Sequence, residues 1–385
     1  MANADSAGIS DQQESGSARD KSRNWRLRPR LLLLIAVPTL AAVALGGVNI
    51  ASSWQKATAD QRPETLAGLS TKVTQLAFQI EAERDAIVWY IAAGSDGRAS
   101  QLDRHANPAQ KQVSKAQLQI VQQQFTYTAA SAKAVATGVA RFGSGYPSAV
   151  QIVARAVTVK LRTLPILRHL ALATQVSATT VLADYGNLVD TLLAFDDQIP
   201  LKSIDPQLIS TTRAMATISR YENEAAVQRA IVMYRLTAGT MSPAMLTELT
   251  TSVTDQKADA TDFQNFATNS QAAMFSNALA ASLENRFQSD ELTVIQTGQR
   301  SGGLAIVPQD WYGAASDVIA ATHKYEETLA QSAVDRARAL HSQAITSALV
   351  IGGILLLVIV FSLILAMFIG RSMPPPRPVT ALALS

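Results

Sequence analysis

The 385-residue chain has no cysteine. That excludes disulfides and thiolate metal sites. Aromatic residues make up only 6% of it, while Ala, Leu, Val, Gln and Thr are abundant. This composition suits helices better than sheets, and no stretch shows a convincing β-strand pattern. An excess of one charge is also missing. The 33 Lys and Arg residues stand against 30 Asp and Glu, a net charge of +3, so there is no global nucleic-acid signature and no nucleic-acid partner is expected. The four histidines, His105, His169, His323 and His341, show no metal-ligand spacing. GSDGR, GSGYPS and RSGG have no phosphate-loop context and read as turns. With no nucleophile, metal or cofactor constellation, the expectation is a non-enzyme with no cofactor and no metal.

Long apolar runs are present, and there are two of them. Residues 1–30 form a polar tail that ends in a basic stretch with Arg19, Lys21, Arg23, Arg26, Arg28 and Arg30. LLLLIAVPTLAAVALGGVNIA follows at 31–51, about the length a membrane helix needs. A cleaved signal peptide is the competing reading. The charged tail and the lack of a clean small-x-small cleavage site favour a retained anchor. The second run covers 344–370, with the core ALVIGGILLLVIVFSLILAMFIG, and a short tail, 371–385, follows it with Arg371 and Arg377. Basic residues thus flank both segments on their outer sides. The positive-inside rule then puts both termini in the cytoplasm and residues 52–343 outside a cell membrane crossed twice, with lipid as a partner.

Between the spans, punctuation separates helices. Pro63–Glu64 opens the first. Asn107–Pro108 starts one expected over 109–141, which GSGYPS ends. Helical pattern resumes with a bend expected near Pro165 and runs to Phe195. DDQIPLKSIDP, 196–206, divides the domain into halves of about 52–205 and 206–343. Ser242–Pro243 opens a helix to about Phe266, another is expected over Ser270–Phe287, and RSGGLAIVP is a loop. The last helix starts near Asp310–Trp311 and meets no breaker before the second span.

The most informative stretch is LAFQIEAERDAIVWYIAAG, Leu76 to Gly94. Leu66, Leu69, Val73, Leu76, Ile80, Ile87 and Ile91 form one helical face, and Arg84 occupies the missing place in that stripe. QRAIVMYRLTAG, Gln228 to Gly239, aligns without gaps on ERDAIVWYIAAG, so that Arg229 falls on Arg84 and Gly239 on Gly94. The chain therefore reads as all-α, two duplicated up-down helical bundles that each place one arginine in a core. A guanidinium offers forked donors to an oxyanion. An internal salt bridge to Glu81, Glu83 or Glu224 is the alternative. Glu83 and Asp85 are adjacent and point to different faces, so they form no acid–base dyad and read as solvated or arginine-orienting. Arg168 and His169 read as surface residues, and Trp311, Tyr312 and Tyr325 as packing layers.

The Glu-Arg-Asp helix ending in Gly, its second copy, the SPAMLTEL…DFQNFAT segment, PQDWYGAASDVIAATHKYEETLA and the anchor RLRPRLLLLIAVP together resemble the nitrate- and nitrite-sensing (NIT) domain. The closest resemblance is to actinobacterial receptor histidine kinases, over roughly residues 26–371. It implies nitrate or nitrite as the ligand, held by core arginines. Arg84 and Arg229 match the two motifs, and Arg286 is the nearest match to a third family arginine. It also implies signal transduction in a two-component system, and the two-span layout, which signals across a helix pair, implies a homodimer. The chain departs from those kinases after the second span, where RSMPPPRPVTALALS carries no phosphoacceptor or ATP-binding motif. The expectation is a receptor that works with a separate kinase or response protein. The sensor half of a split or truncated kinase and a ligand-independent scaffold for a protein partner are the other readings.

Overall fold

The computed structural model describes residues 64–95, 108–142, 145–173, 176–198, 205–279, 281–298, 300 and 303–371. The first apolar run, His105 and the C-terminal tail lie outside the described residues. The chain divides into two units, Asp60–Leu340 and a second made of Met1–Ala59 with His341–Ser385. Nine helices, and no strand, occur among the described residues.

Helix α1 covers 64–90 and runs into a π-helical turn at Ile91–Ser95. Pro108–Val139 is α2, Ser148–Leu172 is α3 and Ala178–Asp196 is α4. Pro206–Ala238 is α5, Pro243–Phe266 is α6, Asn269–Ala278 is α7 and Ala281–Thr297 is α8. The last helix, α9, is continuous from Pro308 to Arg371. The expected absence of a breaker in it holds.

The helix ends follow local chemistry. Asp205 caps α5 by accepting from Leu208 N, and Ser242 caps α6 by accepting from Met245 N, each followed by Pro. Thr268 and Gln271 form a reciprocal capping box on α7. Gly239 ends α5 at φ 76°, a left-handed conformation that glycine adopts without a Cβ penalty. The duplicate, Gly94, instead lies in the π turn, so the two copies finish differently.

Two expectations need correcting. The helix read over Ser270–Phe287 is two helices, interrupted at Leu279, which is extended (φ −84°, ψ 95°) and buried. Phe275 and Phe287 are both buried. Twelve residues apart on one straight helix, they would sit about 120° apart around its axis, and the break lets both enter the core. The helix expected to continue to Phe195 is likewise two: α3 runs through Pro165 and stops at Leu172, and α4 starts at Ala178.

Side-chain contacts fix helix directions in the Asp60–Leu340 unit. Gln124 on α2 donates to Gln79 O on α1 while Leu69 packs at Gly138 near the end of α2, and Tyr185 and Asp196 on α4 bond Glu83 and Ser70 on α1, so α2 and α4 run against α1. Ser252 and Arg220 join α6 antiparallel to α5 through Glu224 O and Asp259. Arg229 meets Ser316, and His323 meets Glu222, which makes α9 antiparallel to α5. Phe78 stacks on His323 and Trp89 packs on Tyr312, which makes it antiparallel to α1 as well. Helices α1 and α5, the two arginine-bearing copies, are thus parallel and share α9 as a neighbour. The apolar stripe of α1 is buried throughout: Leu66, Leu69, Val73, Leu76, Ile80, Ile87 and Ile91 all lie in the core. Removing such area from water at ~25 cal/mol per Å² is what holds helices of modest intrinsic stability in place.

The described part of the other unit is the remainder of α9. Leu349, Leu357, Phe361 and Phe368 are among its exposed apolar side chains. By length and composition, Pro308–Leu365 contains a stretch able to cross a membrane.

Candidate functional site

The missing place in the α1 stripe is a buried charge cluster. Arg84 is fully buried and Arg229 is 7% exposed. Between them stands Asp85. Arg84 Nε donates to Asp85 Oδ1 at 3.3 Å, and Arg229 donates to Asp85 Oδ2 from Nε at 2.9 Å and from Nη2 at 2.7 Å. One carboxylate therefore joins the two guanidiniums that the duplication puts in register. Arg84 Nη1 also donates to Asn223 Oδ1 on α5 at 3.2 Å, and Arg229 Nη1 to Ser316 Oγ on α9 at 3.0 Å. The Arg229 guanidinium lies 5.3 Å from the Tyr312 ring centroid, close enough for a cation–π contact. One donor is left over: Arg84 Nη2 is buried and makes no hydrogen bond.

Burial opposes the charge of Arg229, but Asp85 and the Tyr312 oxygen outweigh it and raise its pKa. Glu81 and Glu224 are each pushed up to about 7 by burial, which Arg84 counteracts only in part. Near neutrality Glu81 and Glu224 thus hold protons part of the time, and the carboxylate in direct contact with Arg84 is that of Asp85.

Beside Arg229 is a cavity of ≈ 70 Å³, lined by Asp85, Trp89, Gln124, Met233 and Tyr312 among others. A water molecule needs ~10–15 Å³ by this measure, so a small polyatomic anion fits. Arg84 does not line it. An anion touching both arginines would take the place that Asp85 holds.

A family model described as nitrate and nitrite sensing matches residues 75–334. The chain belongs to that family. Among curated proteins, none matches it. A solved structure, that of the NasR transcription antiterminator, is similar with a TM-score of 0.56 at 18% identity, covering 87% of this chain and 84% of that one. At that identity the likeness concerns the fold, an all-α bundle.

In this nitrate- and nitrite-sensing chain, Arg84 and Arg229 come together around Asp85. Arg286 does not join them. It lies on α8, 53% exposed at its side chain, and bonds Asp310 at 3.0 Å. Both arginines pair internally, but with Asp85 rather than with Glu81, Glu83 or Glu224. Arg229 pairs with Asp85, while Glu83 is taken by Arg168, which donates to both its oxygens at 2.8 and 2.7 Å. Tyr185 donates to Glu83 as well, at 2.8 Å. Arg168 is therefore not the surface residue the sequence suggested: it is largely buried, and its guanidinium sits 4.5 Å over Phe125. Glu83 and Asp85 are both buried and both orient arginines, and neither is solvated. Trp311 is a packing residue, stacked on Phe287 at 5.1 Å, whereas Tyr312 is more than a third exposed at the cavity. Sequence reasoning missed Asn223 and Ser316. Asn223 carried one available signal, its polar place in the otherwise buried run of α5.

Proposed function

We propose that nitrate or nitrite binds at the Arg84–Asp85–Arg229 cluster by replacing the Asp85 carboxylate between the two guanidiniums. The observation that carries this is the unused Nη2 of Arg84, a buried donor of fixed positive charge. A planar oxyanion supplies the acceptor that this donor lacks while keeping the forked contacts Asp85 now makes. Because α1 carries Arg84 and Asp85, α5 carries Arg229, and Ser316 of α9 also holds Arg229, an exchange of Asp85 for a ligand alters how three helices meet. A ligand biases a conformational equilibrium only through such a difference in contacts between states.

The protein then acts as a two-pass membrane receptor, with a sensor domain of about residues 52–343 outside the membrane and both termini in the cytoplasm. Movement of α9 passes along one uninterrupted helix into its apolar stretch. The signal leaves through a homodimer to a separate kinase or response protein. A ligand-independent scaffold is the second reading, favoured by the present closure of Arg229 by Asp85.

The test is calorimetric titration of the full chain in detergent with nitrate, nitrite and chloride. Saturable heat with nitrate or nitrite, lost in Arg84→Ala and Arg229→Ala, supports the reading. Truncating one partner of a desolvated charged contact costs ~2–5 kcal/mol, or affinity losses of roughly 30-fold and upward. Heat that is unchanged in both variants removes the arginines from the site. No heat from any anion moves the scaffold reading to the front.

A further inference from the structure

We propose that Glu222, His323 and Glu326 form a binding site for one divalent metal ion of the class that accepts mixed imidazole and carboxylate donors, Zn2+ or Mn2+. The three residues come from two helices, Glu222 from α5 and His323 with Glu326 from α9. The α9 pair is one turn apart and so shares a face. All three are buried, at 3%, 8% and 1% exposure.

The geometry suits a metal. One donor atom from each residue lies within 4.8 Å of the other two. His323 Nδ1 stands 3.2 Å from Glu222 Oε2 and 3.3 Å from Glu326 Oε2. Donors bound at ~2.0–2.2 Å in a tetrahedron are roughly 3.4 Å apart, so these spacings are already those of a tetrahedral edge. One nitrogen carries at most one hydrogen, and it cannot direct that hydrogen at two carboxylates at once. A cation placed among the three satisfies both.

A second observation points to the same place from a third helix. Glu81 on α1 is 3% exposed, and its Oε2 makes no hydrogen bond. Its charge bears on Glu222, His323 and Glu326 alike. It lies outside the three-residue donor group and adds buried negative charge beside it rather than a ligand atom. Asp196 on α4, fully buried, also acts on Glu326, and its Oδ2 is likewise without a partner. Two buried carboxylates on one imidazole nitrogen, with further buried acids nearby, suit a cation, because buried ionised groups persist when paired or metal-bound.

The surroundings resemble an outer coordination layer. Ser219 donates to Glu326 Oε1 and fixes that carboxylate. The His323 ring is stacked on Phe78, centroids 4.1 Å apart and planes at 14°, which sets its orientation. With a metal on Nδ1, the proton resides on Nε2. That atom is buried without a hydrogen bond, and Glu327 Oε1 is 3.9 Å away. Ligating histidines commonly give their second N–H to a carboxylate, and the exposed Glu327 is the acid that would have to close that 3.9 Å gap. An entry path exists as well: a cavity of ≈ 240 Å³ is lined by His323, Glu327, Thr71, Thr74, Gln75 and Ser131 among others. The nitrogen donor favours Zn2+ or Mn2+ over Mg2+ and Ca2+. No residue of the arginine cluster is among the three proposed ligands, so the two sites can fail independently.

The competing occupant is a proton shared among the same groups, and one experiment separates the two. The full-length chain in detergent, freed of any affinity tag and stripped with a chelator, is titrated with the chlorides of Zn2+, Mn2+, Mg2+ and Ca2+. Calorimetry is run in two buffers of different ionisation enthalpy, and bound metal is counted by elemental analysis. Expected are one Zn2+ or Mn2+ per chain, proton release on binding, and Ca2+ weaker by roughly ten-fold or more. Glu222→Gln and Glu326→Gln should each lower affinity by roughly 10–100-fold or more, and His169→Ala should leave it unchanged. Co2+ added to the unmutated chain should give the visible absorption of a tetrahedral nitrogen–oxygen site, a readout that needs no variant to fold. No saturable metal uptake by a helical chain, or uptake that survives Glu222→Gln combined with Glu326→Gln, overturns the proposal in favour of the proton.

Discussion

Replacing Asp85 by Asn tests the arginine cluster most directly, because it removes the charge and keeps the volume. Asp85 accepts three hydrogen bonds from two buried guanidiniums, at 3.3, 2.9 and 2.7 Å. Each such bond to a charged partner is worth ~1.5–3 kcal/mol, and breaking a buried pair from one side costs ~3–5 kcal/mol because the other charge stays behind. In the variant, the amide nitrogen opposes a guanidinium in at least one of these contacts. The expected loss in anion-free buffer is therefore about 3–5 kcal/mol, or roughly 6–20 °C in Tm at ~2–4 °C per kcal/mol. Nitrate should then do more for the variant than for the unmutated chain, since nothing has to be displaced before it binds. At one hundred times its Kd, it returns ~2.7 kcal/mol. The assay is thermal unfolding followed by far-ultraviolet circular dichroism in detergent, with nitrate against chloride at equal ionic strength. Two results refute the reasoning. One is an Asp85→Asn chain as stable as the unmutated chain without anion. The other is an equal nitrate shift in both chains, which would mean that ligand and Asp85 do not compete.

Other outcomes follow from groups outside the cluster. Glu291 is buried with an unpartnered Oε1, and burial pushes its pKa up to about 8 from the ordinary 4.5. The folded chain thus holds a proton that the unfolded chain releases, so this group's contribution is full below about pH 4.5 and declines as pH rises to about 8. Glu291→Gln should flatten the dependence of Tm on pH across that window and raise Tm at pH 8, and a Tm–pH curve parallel to that of the unmutated chain would contradict the assignment. Arg168→Met leaves Glu83 buried with the Tyr185 hydroxyl still donating to it and should cost about 3–5 kcal/mol. Adding Glu83→Gln should recover part of that loss in denaturant unfolding, and a simple sum of the two single losses would mean that the pair is not coupled.

What could be read in the sequence was what periodicity and end-chemistry encode. The α1 stripe, the second arginine in register, the Ser242–Pro243 start and the unbroken α9 all depend on residues close together in the chain. What escaped depends on residues far apart. Arg168 looked like a surface charge because Glu83, its partner, lies 85 positions away. Glu222 and His323 are separated by 101 positions, so a search for metal-ligand spacing among histidines alone could not find them. The break at Leu279 has no local signal: ALAAS is good helix sequence, and packing of Phe275 and Phe287 overrides it.

The duplication has a consequence for stoichiometry. Gln228 and Ala230 stand where the first copy has Glu83 and Asp85. The second arginine therefore has no acidic neighbour of its own and borrows that of the first. An exact repeat would hold two equivalent pockets related by pseudosymmetry. This chain, with two arginines and one shared carboxylate, has a single composite one, so a titration should saturate at one anion per polypeptide.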